Sequence, residues 1–385
     1  MTTEYRAGRD QALAFRLERH RLSRRAPLDD LLEVVGACGI RNTPPGSAML
    51  ALHARIADLP PAAVERALAE DKTLVEALAM RASPHIVPAR DLAIFTLGAL
   101  PADDQSFRTA SAALAKNLDQ AGMAGGAALE QAADVACQAL ADGMLTRSDL
   151  SSAMTRRLPE ALTPWCAACK VQHVNEILFR LVGVRGVWVV APRGGKSGMY
   201  VRTDQWLGAR PDGDRDAARA ELLRRYLRCY GPSTAAHFAA WVGIASAEAG
   251  RVWERLADEL VAVDLEGRRA WLLAADLPRL EHPANAAGVR LLPPYDSYLD
   301  QRDREMLLDA ALHKRVWRII GNPGAVLADG ALVGVWRPQK KGKRLAISVE
   351  PFAALSAATR AEIEAEAALL APYRGCTSSQ VSFAT

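Results

Sequence analysis

The chain has 385 residues, of which half are hydrophobic and 24% are charged, a balance that is globular and excludes disordered and fibrous proteins. No apolar run approaches the roughly 18 residues of a membrane-spanning helix, and the Arg-rich stretch 1–25 lacks the apolar core of a secretory signal. The net charge of +4 is too small to indicate a nucleic-acid partner without local clusters. Six cysteines in a chain of this length do not suggest a disulfide framework. We therefore expect reduced thiols and a cytoplasmic protein.

The first segment, 1–105, has the apolar spacing of helices. Apolar residues recur at intervals of three and four in Leu28–Val35, in Ala48–Ile56 and in Ala62–Leu68. Proline pairs separate these helices, and an extended stretch near Arg81–Val87 follows them. Three helices and then a strand indicate an N-terminal helical, winged-helix-like unit.

The second segment, 106–210, predicts a helix-turn-helix. Ala127–Asp142 has helical spacing, and Thr146 is a good N-cap for the helix Ser148–Leu158. Two short β-rich runs within 186–202 are joined by a basic, glycine-rich tip, which is typical of a wing.

The third segment, 211–277, predicts each element of a winged helix. The two β-strands flank Glu266-Gly267, which is a hairpin signal. The predicted elements are the helices Asp214–Tyr230, Thr234–Val242 and Ser246–Glu259 and the strands Leu260–Leu265 and Arg269–Leu273.

The fourth segment, 278–372, is rich in predicted β-strands and ends with a helix over Ser356–Leu370. The last residues, 373–385, have the composition of a loose tail. The fold class is therefore mainly α with β wings: tandem winged-helix motifs and a small β-rich C-terminal domain.

Four stretches of the chain resemble one family, the AlkZ/YcaQ-like winged-helix proteins, which are DNA glycosylases and glycosylase-like proteins. The stretches LLPPYDSYLDQRDREMLLD and AVLADGALVGVWRPQKKGKRLAISVEPF of this chain resemble the C-terminal part of the family. The stretches SAMLALHARI and MRASPHIVPARDL resemble its N-terminal part. The resemblance covers nearly the whole chain. It implies a partner, double-stranded DNA with alkylated or bulky adducts, and no cofactor.

The resemblance also implies where catalysis takes place. In the family it is attributed to a Gln-x-Gln or Gln-x-Asp motif just before the helix that resembles SAMLALHARI. Here that stretch is Arg41-Asn42-Thr43, and no glutamine lies between Gln11 and Gln105. A glutamine carbonyl can orient a water, whereas arginine is only a donor and always charged. Asn42 and Thr43 are therefore the candidates for holding water beside Arg41.

Asp296 is a fourth candidate catalytic residue. Its carboxylate could accept a proton or stabilise a developing oxocarbenium ion during glycosidic cleavage. The alternative is structural, as an N-cap or as an ion-pair partner of Arg302 or Arg304.

Arg81 and His85 match the Arg and His of the family pattern Arg-Gly-Thr-x-His. The resemblance implies that they line a nucleic-acid groove. A histidine that precedes an apolar run is otherwise a hydrogen-bonded core residue.

The second segment offers cations for phosphate contacts. Its second helix carries Arg156 and Arg157, with Arg147 at its start, and the wing tip carries Arg193 and Lys196. Such residues give sequence-independent, salt-dependent affinity for DNA. The alternative is that this winged helix binds protein or has a structural role.

The turn 337–344 has the highest density of cations, with Arg337, Lys340, Lys341, Lys343 and Arg344. Between two predicted strands, it is either a phosphate clamp or an ordinary solvated turn.

Cys166, Cys169 and His173 have the spacing Cys-x2-Cys-x3-His, three of the four ligands of a structural zinc site. Because no fourth ligand is evident nearby, we expect packed, reduced thiols and no metal.

The sequence thus predicts a DNA-binding repair protein, a DNA glycosylase or a diverged one. A catalytically silent lesion-binding protein and a transcriptional regulator remain as alternatives. A regulator would usually be a dimer that reads two half-sites, whereas we expect a monomer here.

Overall fold

A computed structural model of the chain describes residues 5–193 and 196–384. The fold is mainly helical, with several small sheets, as the sequence predicts. The helices are α1 Arg9–Arg19, α2 Leu31–Cys38, α3 Ser47–Arg55, α4 Pro61–Ala69, α5 Leu92–Thr96, α6 Asp104–Ala110, α7 Ala112–Ala121, α8 Gly125–Ala139, α9 Arg147–Thr155, α10 Glu176–Val184, α11 Thr203–Leu207, α12 Arg215–Tyr230, α13 Ala235–Val242, α14 Ser246–Arg255, α15 Leu277–Glu281, α16 Arg304–Leu307, α17 His313–Val316 and α18 Ala357–Leu370.

The strands are short and fall into separate sheets. They are β1 Tyr5–Ala7, β2 Ile40–Arg41, β3 Leu74–Leu78, β4 Pro84–Pro88, β5 Trp165–Cys166, β6 Val171–Gln172, β7 Trp188–Arg193, β8 Lys196–Arg202, β9 Leu260–Leu265, β10 Arg268–Leu273, β11 Val289–Leu292, β12 Gly324–Ala328, β13 Ala331–Lys341, β14 Arg344–Pro351 and β15 Ser378–Phe383. In the part of the chain that is described, no helix has both the length and the hydrophobicity to cross a bilayer.

The chain forms two compact units, and neither is continuous in sequence. Unit 1 comprises 1–64, 225–234 and 259–385, and unit 2 comprises 65–224 and 235–258.

Unit 1 is built around a five-stranded sheet in the order β11-β12-β13-β14-β15. Side chains alternate across this sheet, so Leu291 and Leu292 enter different clusters. Leu291 packs with the apolar side of α18, including Ile363 and Leu370. Leu292 packs with Tyr298 on the opposite face. A second sheet, β1-β9-β10, completes the unit.

The C-terminal residues form β15 and not the loose tail that their composition suggests. β15 pairs in parallel with β14, in a register that places Val381 beside Ile347. Along β15 every second residue is partly buried, and Val381 and Phe383 pack against the α18 cluster. The strand therefore depends on tertiary burial at the edge of the sheet, which local composition does not reveal.

Unit 2 contains four strands in the order β4-β3-β7-β8 with α10 packed on them. Close packing depends on Gly183 in α10, because a Cβ there would lie 2.8 Å from both Leu78 Cδ1 and Trp188 Nε1. Phe179 and Tyr200 extend this contact into an aromatic cluster around Trp188. As a result, α10 is a mostly buried helix.

The helices and strands predicted for 106–210 and 211–277 are present, but α10 and the small hairpin β5–β6, which the sequence did not predict, lie between α9 and β7. In unit 2, α8 and α9 are followed by α10 and the hairpin β7–β8, and Leu145 forms an antiparallel bridge to Tyr200. The third segment runs α12, α13, α14 and then β9–β10, and Ser233 bridges to Trp271.

Candidate active site and nucleic-acid interface

The candidate catalytic loop, 41–43, lies in unit 1 between α2 and α3. Gly39 ends α2 with φ 71°, a conformation that favours glycine. Its carbonyl accepts a hydrogen bond from Ser297 Oγ at 3.0 Å, and the Tyr230 hydroxyl donates to the Ser297 carbonyl at 2.8 Å. These bonds hold the loop against the turn that contains Asp296.

Arg41 lies over an aromatic ring of the same turn. Its guanidinium carbon is 4.8 Å from the centre of the Tyr295 ring, a cation–π distance. The Arg41 carbonyl accepts a bond from Ser47 Oγ at 3.3 Å. Arg41 therefore brings a positive charge to the loop and no side-chain acceptor.

Asn42 caps the start of α3. Its side chain is buried, and Oδ1 accepts from the backbone N–H of Gly46 at 2.8 Å and of Ala48 at 3.3 Å. The carbonyl oxygen that could have oriented a water is thus engaged in positioning the loop.

Thr43 differs from its neighbours. Its Oγ1 is buried and has no hydrogen-bond partner in the part of the chain that the structure describes. A hydroxyl offers one donor and two acceptor lone pairs. Of the candidate catalytic side chains that carry an oxygen, Thr43 is the one whose oxygen no other group of the described chain engages.

Asp296 has a structural role in this structure, as an N-cap and as an ion-pair partner. Its carboxylate binds Arg55 at two points, with distances of 2.7 and 2.8 Å, and caps a short helix by accepting from Tyr298 N at 2.9 Å. The partner is Arg55 and not Arg302, which binds Asp300. With Asp296 and Arg55 both buried, neither carboxylate oxygen faces solvent.

Burial alone would lower the pKa of Arg55, but the Asp296 carboxylate raises it, and the net pKa lies above the ordinary value. Arg55 therefore remains a cation, and the pair is an ion pair inside unit 1.

A buried sulfur–imidazole cluster that the sequence did not reveal lies in unit 1. Side-chain ligand atoms of His20, Cys38 and Cys229 lie within 4.8 Å of one another. Hydrogen bonding from Cys229 holds the pKa of the Cys38 thiol well below its ordinary value. The three residues come from distant segments, so no local motif could have found them.

Arg81 and His85 have different environments in unit 2. His85 is buried, with Nδ1 2.8 Å from the Ser83 carbonyl, as expected of a core histidine. Arg81 donates to the Trp241 carbonyl at 2.5 Å and lines a cavity of about 660 Å³.

The cations around α9 are accessible. Arg156 and Arg157 are exposed, and Arg147 is held by Glu176 at 2.7 Å. The tip between β7 and β8 lies outside the described residues, as do the side chains of Arg193 and Lys196.

All five cations of 337–344 are exposed, but the predicted turn is mostly strand: Arg337, Lys340 and Lys341 lie in β13, Arg344 begins β14, and only Lys343 lies in the turn between them. It bends at Gly342, where φ is 62°. Lys340 Nζ donates to the Arg374 carbonyl at 3.1 Å and Arg344 to Gln380 Oε1 at 2.9 Å, so neighbouring segments hold the turn in place. We call residues 337–344 the basic hairpin.

Two isoleucines next to the basic hairpin are unusually accessible. Ile319 is 100% exposed and Ile320 is 86% exposed. Arg337 of the basic hairpin donates to the carbonyl of Gly321, the next residue, at 3.3 Å. Two adjacent isoleucines are a visible signal in the sequence, but only the structure shows that nothing in the described chain covers them.

The Cys-x2-Cys-x3-His residues converge on the small hairpin β5–β6. Ligand atoms of Cys166, Cys169 and His173 lie within 4.8 Å of one another. The Cys169 N–H, which donates to Cys166 Sγ at 3.4 Å, is the main cause that lowers the pKa of Cys166 to about 7. A hydrogen bond to the Val174 carbonyl raises the pKa of His173.

Known proteins resemble this chain in sequence and in fold. The chain is 34% identical over 129 residues to an interstrand DNA cross-link repair glycosylase of Streptomyces sahachiroi, a match that spans 31% of this chain and 34% of that protein. The fold of this chain is similar to the solved structure of Streptomyces sahachiroi DNA glycosylase AlkZ. The TM-score is 0.77 and the identity 25%, over 98% of this chain and all of that one. The family described as DNA glycosylase AlkZ-like matches residues 34–373. The chain belongs to the AlkZ-like DNA glycosylase family.

Proposed function

We propose that the protein binds double-stranded DNA and hydrolyses the N-glycosidic bond of alkylated or bulky damaged bases. The observation that carries the proposal is a similarity to a DNA glycosylase that extends over 98% of the chain. The exposed cations of the basic hairpin supply the electrostatic attraction that such a partner requires. We expect the protein to act as a monomer in the cytoplasm.

We propose that successive segments of the chain are winged helices. The order α8, α9, α10 and β7–β8, with the bridge from Leu145 to Tyr200, supports this for 106–210. The order of elements in 211–277 supports it for the third segment. The segments 1–105 and 278–372 are then the N-terminal helical unit and the β-rich domain.

Phosphate contacts in this proposal come from two surfaces. In unit 1 they are made by the basic hairpin, and in unit 2 by Arg147, Arg156 and Arg157, together with Arg193, Lys196 and Arg81. Because His85 is buried, its part in the groove would be to hold the strand β4 in position. Such contacts fix the position of the duplex without reading its sequence.

Next to the basic hairpin, Ile319 and Ile320 would enter the duplex between base steps. Apolar side chains that reach DNA beside cations act as wedges, and the cost of unstacking is repaid by closer contact. The high exposure of both residues supports this role.

The chemistry requires a water on the sugar face of the damaged nucleotide. In the proposed step its oxygen forms a bond to C1′, the base leaves with the electrons of the C–N bond, and the water gives up one proton to the solvent. A cationic alkylated purine leaves as a neutral base and needs no added proton. Thr43 Oγ1 would position the water once DNA binding makes this buried atom accessible, since Asn42 and Asp296 are engaged elsewhere.

Arg41 supports a second candidate function, a catalytically silent lesion-binding protein. A cation near the reacting sugar opposes the positive charge of an oxocarbenium-like transition state. This effect slows hydrolysis and leaves binding intact.

Abasic-site formation separates the two functions. The purified protein is incubated with alkylated duplex DNA, and strand breaks are measured after heat or alkali. Enzyme-dependent breaks support the glycosylase, whereas salt-sensitive binding without breaks supports the silent protein. Absence of both binding and breaks would contradict both proposals.

A further inference from the structure

We propose that Cys166, Cys169 and His173 bind a zinc ion in the connection between α9 and α10, with water as the fourth ligand. Three cysteine and histidine ligands with an open position form a known class of zinc site, in which Cys₂His is one ligand set. The sequence offers too few ligands for a closed structural site, but the fold brings these three together.

The distances fit the metal. The three ligand atoms lie within 4.8 Å of one another. Zinc binds sulfur at about 2.3 Å and nitrogen at about 2.0 Å, so ligands of a tetrahedral ion are separated by roughly 3.5 Å. Small side-chain adjustments therefore suffice for binding.

Backbone hydrogen bonds shape the turn around Cys166 Sγ. The chain bends so that Lys170 N donates to the Cys166 carbonyl at 2.8 Å, with Lys170 at φ 56°. In the same turn the Cys169 N–H points at Cys166 Sγ. Backbone donors of this kind favour the thiolate, which is the form that binds metal.

The histidine is oriented by its backbone. His173 Nδ1 is 2.8 Å from the Val174 carbonyl, so this nitrogen carries the proton and donates. The other ring nitrogen, Nε2, is then the acceptor, and the ring also has a side-chain hydrogen bond with Cys166. A carbonyl that fixes the tautomer in this way is typical of histidines that bind metal.

The hairpin β5–β6 lacks an apolar core that could stabilise it. Each strand has two residues, and the apolar side chains Trp165 and Val171 are 64% and 51% exposed. A two-stranded hairpin alone is marginally stable in water, and small elements of this kind are commonly held by a metal. The ion would thus fix the connection that leads into α10.

Charge in the neighbourhood is compatible with zinc. Two thiolates balance the two charges of the ion, and a neutral histidine adds none. Glu176 lies close enough to affect the pKa of Cys169 and His173, but its carboxylate is bound by Arg147 and Arg180. We therefore propose water as the fourth ligand.

Metal content and cobalt spectroscopy test the site. Protein purified under reducing conditions is loaded with zinc and dialysed, and zinc per chain is measured by elemental analysis. We expect one zinc per chain, and replacement by Co²⁺ should give a thiolate-to-metal charge-transfer band. Less than about 0.2 zinc per chain, or cobalt without this band, would overturn the proposal.

Variants assign the ion to this hairpin. Cys166→Ser and His173→Ala should lose the zinc, while Cys137→Ser in α8 should keep it. Cys229→Ser is the decisive control, because His20, Cys38 and Cys229 also converge in unit 1. Loss of zinc in Cys229→Ser with retention in Cys166→Ser would place the ion in the other cluster and refute the assignment.

If these variants fail to fold, hydrogen exchange of the wild-type protein tests the zinc site instead. Wild-type protein treated with a chelator should then show faster hydrogen exchange at 165–173, reversed by added zinc. Unchanged exchange in this segment would also count against the site.

Discussion

Arg55 and Asp296 form a buried two-point ion pair across 241 positions of the chain, with nitrogen–oxygen distances of 2.8 and 2.7 Å. The pair joins the end of α3 to the turn that follows β11. SAMLALHARI and LLPPYDSYLD, which contain these two residues, are among the stretches that resemble the family. The ion pair thus links these two stretches next to the candidate catalytic loop.

Asp296→Asn should lower the free energy of unfolding by about 3–5 kcal/mol, because the substitution leaves the buried charge of Arg55 without its partner. Urea denaturation followed by circular dichroism measures this change. The matched control is Asp300→Asn, whose pair with Arg302 is partly exposed and should contribute less than about 1 kcal/mol. A variant at 296 with normal stability but lost base release would instead make Asp296 a catalytic residue.

Thr43→Val should reduce base release at least about tenfold, a loss of 1.4 kcal/mol of transition-state stabilisation. The substitution conserves shape and removes a hydroxyl without a partner in the described chain, so stability should be unchanged or higher. Thr43→Ser retains the hydroxyl and should retain activity. Equal rates for wild type, Thr43→Val and Thr43→Ser would show that another group positions the water.

Replacing Lys340, Lys341 and Lys343 with Ala should weaken binding to all duplexes alike. Each lost phosphate contact lowers the slope of log affinity against log salt by about 0.9, so the slope should fall by about 2–3. Fluorescence anisotropy between 50 and 200 mM salt measures it, and wild-type affinity should fall about tenfold or more across this range.

The control for the basic hairpin replaces three exposed arginines elsewhere in unit 1, Arg6, Arg24 and Arg279. This variant should keep nearly the full slope, because it removes charge without removing phosphate contacts. An equal loss in both variants would indicate a general effect of net charge and would refute the role of the hairpin.

The double variant Ile319→Ser/Ile320→Ser tests the proposed wedge. Both side chains are exposed, so stability should change by less than about 0.5 kcal/mol. A 2-aminopurine placed next to a lesion should brighten when wild-type protein unstacks it, and the variant should abolish this signal. Leu369→Ser, at another exposed apolar position, is the control. Unchanged brightening in the Ile variant would show that these residues do not enter the duplex.

Local signals in the sequence predicted much of the helical fold. Apolar spacing and turn residues placed α12, α13 and α14 within a few residues of their observed bounds, and Glu266-Gly267 marked the hairpin β9–β10. In these elements the period of apolar residues coincides with the buried face.

The strands and the ion pair that the sequence did not predict depend on contacts between distant segments. β15 is a strand because β14 and α18 cover it, and β3 is a strand because β4 and β7 flank it. Similarly, no spacing rule joins Arg55 to Asp296. At the candidate site, the sequence indicated the loop 41–43. Only the contacts distinguish the engaged Asn42 oxygen from the Thr43 hydroxyl, which has no partner among the described residues.

The most direct test of the central claim measures base release from duplex DNA that contains a methylated purine. It compares wild type with the double variant Arg41→Gln/Thr43→Gln. If this chain is a glycosylase scaffold slowed by Arg41, wild type should release the base slowly. The double variant should be at least about tenfold faster with similar DNA affinity, because the glutamine carbonyl at 43 takes over the positioning of water from the lost hydroxyl. Ready excision by wild type would contradict the argument from Arg41. No gain in a variant that still binds DNA would contradict the assignment of the catalytic loop.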